Sequence, residues 1–267
     1  MRFATWNVNS LKARLPLVEQ WMVGAQPDVL CMQETKLADD AFPAGFFADL
    51  GYEVVHHGNG PWNGVAIASR VGLEEVDWGF GEDLAGSAAE TRLVRARCGG
   101  VTVVCVYVPN GRAVDSEHYV AKLAWLDALE GYVAGTHPAT ADVVVCGDFN
   151  VAPSDLDVFD PAFFEGATHV TPAEREAVSR LLDLGLEDVL RIHYPKTSGL
   201  YSWWDYRAGN FHKGRGMRID LILASRSLSE RVEWVLIDRN ARRGQGSKTA
   251  PQPSDHAPVV MELANKC

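Results

Sequence analysis

Four short polar sets stand where apolar runs end, and their residue types suit phosphoester chemistry. Trp6-Asn7-Val8-Asn9 closes a run that starts at Phe3, and its two amides, two residues apart, lie on one side of an extended chain. Gly147-Asp148-Phe149-Asn150 repeats that spacing after Val143–Cys146. Ser254-Asp255-His256 precedes the closing run Pro258–Leu263, and Gln33-Glu34-Thr35-Lys36 follows Asp28–Met32. Asn and Asp also end strands simply because they favour turns. Turn chemistry does not explain why the four sets should complement one another.

Together they can handle a phosphate. Mg²⁺ takes about six oxygen ligands, usually one or two carboxylates with water and substrate phosphate completing the shell. Glu34 and Asp255 suit that role. Asp148 suits the orientation or deprotonation of water, and Asn7, Asn150 and His256 suit donation to the phosphate. Adjacent side chains diverge in extended chain, so the carboxylate that fixes the His256 tautomer is not Asp255. Asp220, inside the apolar segment Arg218–Leu223, is the candidate, because a buried acid requires a partner; the alternative is a structural ion pair with an arginine. The five cysteines include no CxxC pair, and Cys31, Cys105 and Cys146 sit in apolar runs. That pattern reads as buried thiols in a reducing compartment, with any metal bound by oxygen.

The elements that must hold these groups are mostly strands. Runs at Phe3–Trp6, Asp28–Met32, Tyr52–Val55, Val65–Ala68, Thr91–Ala96, Val101–Val108, Val143–Cys146, Arg218–Leu223, Val232–Ile237 and Pro258–Leu263 read as extended. Helical patterns fall at Leu15–Val23, His118–Val133 and Ala173–Leu184. The last carries Thr171 as N-cap, Pro172 in the first turn, Glu174 completing a capping box and Gly185 at the C-terminus. Runs such as VTVVCVYV lack polar alternation, which predicts strands covered on both faces: two packed sheets with helices outside.

With 267 residues, 47% apolar and 22% charged, the chain can bury a full core and is expected to form one domain over residues 1–267. No apolar stretch approaches the ~18 residues of a membrane span. The polar N-terminus lacks a secretory core, so the expectation is a cytoplasmic protein without a membrane partner. The net charge of −10 opposes a polyanionic partner, but Arg191–Lys248 carries +7 and the remainder −17. One region can therefore face nucleic acid. Arg242–Lys248, RRGQGSK, reads as a mobile loop.

Seven blocks, WNVNSLKAR (6–14), PDVLCMQETK (27–36), YVPNG (107–111), CGDFNVAP (146–153), SWWDYR (202–207), RIDLILAS (218–225) and PSDHAPV (253–259), resemble the exonuclease III family of abasic-site endonucleases. The resemblance covers nearly the whole chain. It implies an α/β, four-layered α/β/β/α sandwich of two mostly antiparallel sheets flanked by helices. It implies Glu34 as principal metal ligand with Asp255 and Asn7 beside it, and Mg²⁺, or Mn²⁺ in its place, as the ion. Asp148 becomes the acid-base residue with Asn150 its neighbour at the phosphate, and both are further candidates for the metal. Tyr107 donates to the phosphate or charges against it, and Asp220 pairs with His256. The implied substrate is double-stranded DNA with abasic sites or blocked 3′ ends, cut by a monomer. Asn9, Arg112, Trp203, Trp204 and Arg218 are the expected substrate contacts, with Trp204 as a wall for the baseless sugar and Trp203 supporting it from the core. The core set is shared with relatives that hydrolyse undamaged DNA or inositol phosphates, which is the alternative reading. A non-catalytic DNA-binding module would have lost a metal or acid-base position, and none is lost.

Overall fold

The computed structural model describes residues 1–81, 90–136, 141–243 and 251–264. Most of the basic stretch read as a loop, Gly244–Lys248, lies outside the described residues. In chain order the first six strands are β1 (Arg2–Asn7), β2 (Val29–Gln33), β3 (Glu53–His57), β4 (Val65–Ser69), β5 (Glu74–Trp78) and β6 (Leu93–Cys98). The rest are β7 (Val101–Tyr107), β8 (Val143–Asp148), β9 (Leu186–Asp188), β10 (Asp220–Ser225), β11 (Val232–Ile237) and β12 (Val259–Leu263). Helices are α1 (Leu11–Ala25), α2 (Ala44–Asp49), α3 (Glu117–Thr136), α4 (Pro172–Asp183), α5 (Val189–His193) and α6 (Arg226–Ser229).

The strands form two six-stranded sheets, ordered β11-β12-β1-β2-β4-β3 and β5-β6-β7-β8-β10-β9. Each has one parallel pair, β1 with β2 and β7 with β8, and the other pairings are antiparallel. Alternation along each strand explains the missing polar face. Phe3, Cys31, Val103 and Cys105 join the core between the sheets. Ala4, Leu30 and Met32 face Val18, Met22 and Phe47 of α1 and α2, whereas Val104, Val106 and Val145 face Trp125, Leu129 and Leu181 of α3 and α4. Each such Val or Leu contributes roughly 1.5–3 kcal/mol on burial.

Helix α4 starts as its sequence predicts, with Thr171 Oγ1 accepting from Glu174 N and the Glu174 side chain returning to the Thr171 N–H. Helix α1 begins at Leu11, ahead of the predicted Leu15, because the Ser10 and Leu11 N–H groups bond to the carbonyls of Glu34 and Thr35. That strap ties the first helix to the end of β2. At Gly147 a Cβ would meet the Val106 carbonyl oxygen at 1.9 Å, so only glycine lets β7 and β8 pair this closely next to Asp148.

Candidate active site

Topology gathers the polar sets. Parallel β1 and β2 end together at Asn7 and Gln33, and parallel β7 and β8 end together at Tyr107 and Asp148. Antiparallel β10 begins at Asp220, directly opposite Asp148, and His256 lies three residues before β12 begins at Val259. All six strand ends meet at one edge of the sandwich, around a pocket of about 180 Å³ lined by Glu34, Tyr107, Asp148, Asn150, Asp255 and His256 among others.

A hydrogen-bond network fixes the groups across the two sheets. Asn7 Nδ2 donates to Glu34 Oε1 (2.9 Å) and to Asp148 Oδ2 (2.8 Å), while its Oδ1 accepts from Asn9 N. Asn9 Nδ2 donates to Asp255 Oδ1 (2.9 Å), and Lys36 Nζ donates to Asn9 Oδ1 (2.6 Å) and stands 2.8 Å from Glu34 Oε2. His256 Nδ1 donates to Asp220 Oδ2 at 2.8 Å, so the elimination of Asp255 as the orienting acid agrees with the geometry. His256 Nε2 lies 3.8 Å from Asp148 Oδ2. Asn150, in the left-handed region at φ 51°, donates its N–H to Asp148 Oδ1 (2.9 Å) and its Nδ2 to the Val108 carbonyl (2.9 Å). Glu34 also takes a left-handed φ of 52°, a cost of order ~1–3 kcal/mol that clusters at functional sites.

The electrostatics assign protonation states. Burial pushes Asp148 up to about 7, against the pull of His256 and Asn7 and with help from Asp220 and Glu34. Burial alone would lower the His256 pKa, but the carboxylates of Asp220 and Asp148 outweigh it and push it up to about 10. His256 is thus held as an imidazolium, its Nδ1–H on Asp220 and its Nε2–H free to donate into the pocket. For Glu34 burial opposes ionisation, yet Lys36 and Asn7 hold its carboxyl below the ordinary value. Burial, then Glu34 and Asp148, raise Tyr107 well above the phenol range, which favours a neutral O–H.

The walls of the site correct two expectations. Trp204 is fully buried, edge-on to Phe211 at 5.1 Å, in a cluster with Tyr201 and Ala257. Trp203 is partly exposed, lines both the pocket and a neighbouring cleft of about 780 Å³, and donates Nε1–H to Asp255 Oδ2 (3.1 Å). The expected placements of the two tryptophans are therefore reversed. Bridges from Trp203 to Met217 and His256 fix which of two successive side chains faces the groove. Arg218 is not a substrate contact: its buried guanidinium pairs with Asp157 Oδ1 (2.6 Å) and, through two nitrogens, with Asp188 (3.0 and 2.7 Å). Arg112 is exposed at the rim, between the cleft and a second depression beside Trp62. Arg242, at the start of the basic stretch, is buried against Tyr206 and Phe211.

Four contributors were not singled out from the sequence. Ser202 Oγ donates to Asp220 Oδ2 (2.6 Å), and Asn110 Nδ2 donates to Asn150 Oδ1 (3.2 Å). Lys36, Asn110 and Ser202 stood inside motifs already quoted. His169, whose Nδ1 donates to the Asn150 carbonyl (2.5 Å) at the pocket wall, stood in none. Burial, with Lys122 adding, lowers His169 to about 4, so it is neutral.

The donor set fits a divalent cation. Ligand atoms of Glu34, Asp148 and His256 lie within 4.8 Å of one another. Glu34, Asp148, Asp220 and Asp255 bring more negative charge than Lys36 and His256 balance. The hard carboxylate oxygens would hold the ion, with Glu34 central.

Two face-to-face sheets whose strand ends gather buried acids, amides and an imidazolium define a phosphoester hydrolase. The endonuclease/exonuclease/phosphatase family matches residues 4–256, and the chain belongs to that family. It is 35% identical to the exodeoxyribonuclease III of Haemophilus influenzae over 98% of this chain and all of that protein. An AP endonuclease from Archaeoglobus fulgidus superposes with a TM-score of 0.93 at 39% identity, covering 99% of this chain and 100% of that one. The 3′ phosphatase NExo from Neisseria, bound to a product DNA hairpin, superposes with a TM-score of 0.90 at 37% identity and covers 99% of each chain. Among the described residues no helix is long and apolar enough to cross a membrane.

Proposed function

We propose that this chain is a Mg²⁺-dependent DNA-repair phosphodiesterase that incises duplex DNA 5′ to abasic sites and trims or cleans 3′ ends. It acts as a cytoplasmic monomer, a setting supported by the buried free thiols of Cys31, Cys98, Cys105 and Cys146. The observation that carries the reading is the cluster of Glu34, Asp148 and His256 within 4.8 Å, in a pocket walled by Trp203. Relatives named for exonuclease, AP endonuclease and 3′ phosphatase activity support the substrate class.

In the proposed reaction Asp148 accepts a proton from the attacking water, whose oxygen adds to phosphorus. The P–O3′ bond breaks, and the departing oxygen takes up the proton from Asp148 by way of solvent, leaving a 3′ hydroxyl and a 5′ phosphate on the baseless residue. Imidazolium His256, the Tyr107 O–H and the second Asn150 amide hydrogen donate to the phosphoryl oxygens as charge builds there. Asn7 has spent both amide hydrogens on Glu34 and Asp148, so it orients these two acids. A divalent ion held by Glu34 with Asp148 or Asp255 would supply charge neutralisation and Lewis-acid polarisation. Trp203 walls the space that a base would otherwise fill.

The test compares an intact duplex, one with a single internal abasic site and one ending in a 3′ phosphate. Faster cleavage of the last two is the expected result. Equal rates on all three, or hydrolysis of inositol phosphates instead, would overturn the substrate assignment.

A further inference from the structure

Lys122 of α3 and Glu174 of α4 form an ion pair with no exposed side-chain surface, next to the catalytic pocket but outside the residues that line it. Helix capping does not account for it. A capping box asks only that the third helical residue reach back to the N-cap, and Glu174 Oε2 does this through Thr171 N and Oγ1. The other oxygen, Oε1, accepts from Lys122 Nζ, Thr168 Oγ1 (2.7 Å) and the His169 N–H (2.9 Å). Stability does not account for it either, because well-packed apolar residues usually serve a protein interior as well as a buried ion pair or better.

The remaining Lys122 bonds point to a different purpose. Its ammonium donates to the Asn150 carbonyl at 2.6 Å, with the Asn110 carbonyl and Thr168 Oγ1 each at 3.4 Å. The same Asn150 carbonyl accepts from His169 Nδ1, and the Asn150 N–H holds Asp148 Oδ1. Asn150 takes the left-handed region that asparagine adopts readily, and these bonds fix where its carbonyl and side chain lie.

We propose that the Lys122–Glu174 pair is a positioning element that locks Asn150 and His169 into the pocket wall and, through Asn150, sets the Asp148 carboxylate for proton transfer. The proposal rests on the reading of Asp148 as the proton acceptor. Glu174→Gln keeps the side-chain shape and the capping-box residue type but removes the charge. Lys122→Met with Glu174→Leu replaces the pair by apolar groups. Both are expected to lower kcat on an abasic-site duplex by about 10–100-fold, since a misplacement of ~1 Å costs up to ~10². KM for DNA should stay within about threefold; both variants lose stability because they leave buried groups unpaired, so kcat is read per folded molecule well below Tm, where misorientation lowers it and general loosening does not. Unchanged kcat in both variants, or activity lost only in step with a fallen Tm, would overturn the proposal. Asp148→Asn measured alongside separates the two failures. If it keeps its turnover, the acid-base reading falls and the positioning role with it. If it is inactive while the pair variants are not, only the positioning role falls.

Discussion

Two buried charged clusters lie close together in the chain and are built to opposite ends. Around Arg218, two arginines meet two aspartates: Asp157 Oδ1 accepts from Arg191 and Arg218, its Oδ2 accepts from Ser154, and Asp188 takes the other side of the Arg218 guanidinium. Charge closes and every carboxylate oxygen of Asp157 is used. Two residues further on, Asp220 joins Glu34, Asp148 and Asp255 against His256 and Lys36. Acid remains in excess there, and Asp220 Oδ1 has no hydrogen-bond partner among the described residues. The first cluster is closed in charge, although Arg191 Nε is left without a hydrogen-bond partner, and it serves the fold. The open one requires a cation and a phosphate to donate to, which is how a rigid interior becomes a site.

The contrast can be broken most sharply at Asp148. Asp148→Asn keeps the shape but removes the proton acceptor, so turnover should fall by ~10²–10⁴ while DNA affinity persists. Near-normal turnover would remove Asp148 from the acid-base role. In the closed cluster the effect should move from rate to stability. Arg218→Met leaves Asp188 without its guanidinium partner and Asp157 with Arg191 alone to balance it, and urea unfolding should register a loss of up to ~3–5 kcal/mol. Turnover per folded molecule should hold, and a rate loss without a stability loss would return Arg218 to the substrate contacts.

A third variant probes where core ends and groove begins. Trp203→Ala should lower abasic-site incision by roughly 1–3 kcal/mol in transition-state energy if stacking on aromatic walls is a guide. Hydrolysis of a minimal phosphodiester should change much less, and Trp204→Ala should register as lost stability. Equal losses on both substrates from Trp203→Ala would make it a core residue too. The smallest effect is in pH. Burial works against ionised Asp157, but Arg218 and Arg191 hold its carboxyl below the ordinary value of 3.8. The unfolded chain then binds the proton more readily, so this stabilisation is complete above about pH 4 and is lost as pH falls through the depressed value. Arg218→Met should flatten that acid limb of the stability curve, and an unchanged limb would deny the pairing.

The sequence reveals groups whose environment is local and hides those whose partners are distant. Asp220 stands out because an acid inside Arg218–Leu223 must be buried and paired, and the pairing with His256 follows from the divergence of its neighbour Asp255. Arg218, in the same motif, gives no such clue, since Asp157 and Asp188 lie far along the chain. Trp203 and Trp204 are adjacent and identical in type, so only the bridges to Met217 and His256 decide which one faces the groove. Among strands, the doubly covered VTVVCVYV and DVVVC are plain, whereas β5, reading EEVDW at the edge of its sheet, and the three-residue β9 carry too little apolar pattern to be seen. Lys122 reads as a solvated charge on a helix until α4 closes over it.

The most direct test of the open cluster is the cleavage rate of a duplex carrying one abasic site, measured after chelation and again after Mg²⁺ is restored. Loss of cleavage on chelation and its recovery with Mg²⁺ are expected from the surplus of carboxylate around Glu34 and Asp148. Cleavage that survives chelation unchanged would contradict it.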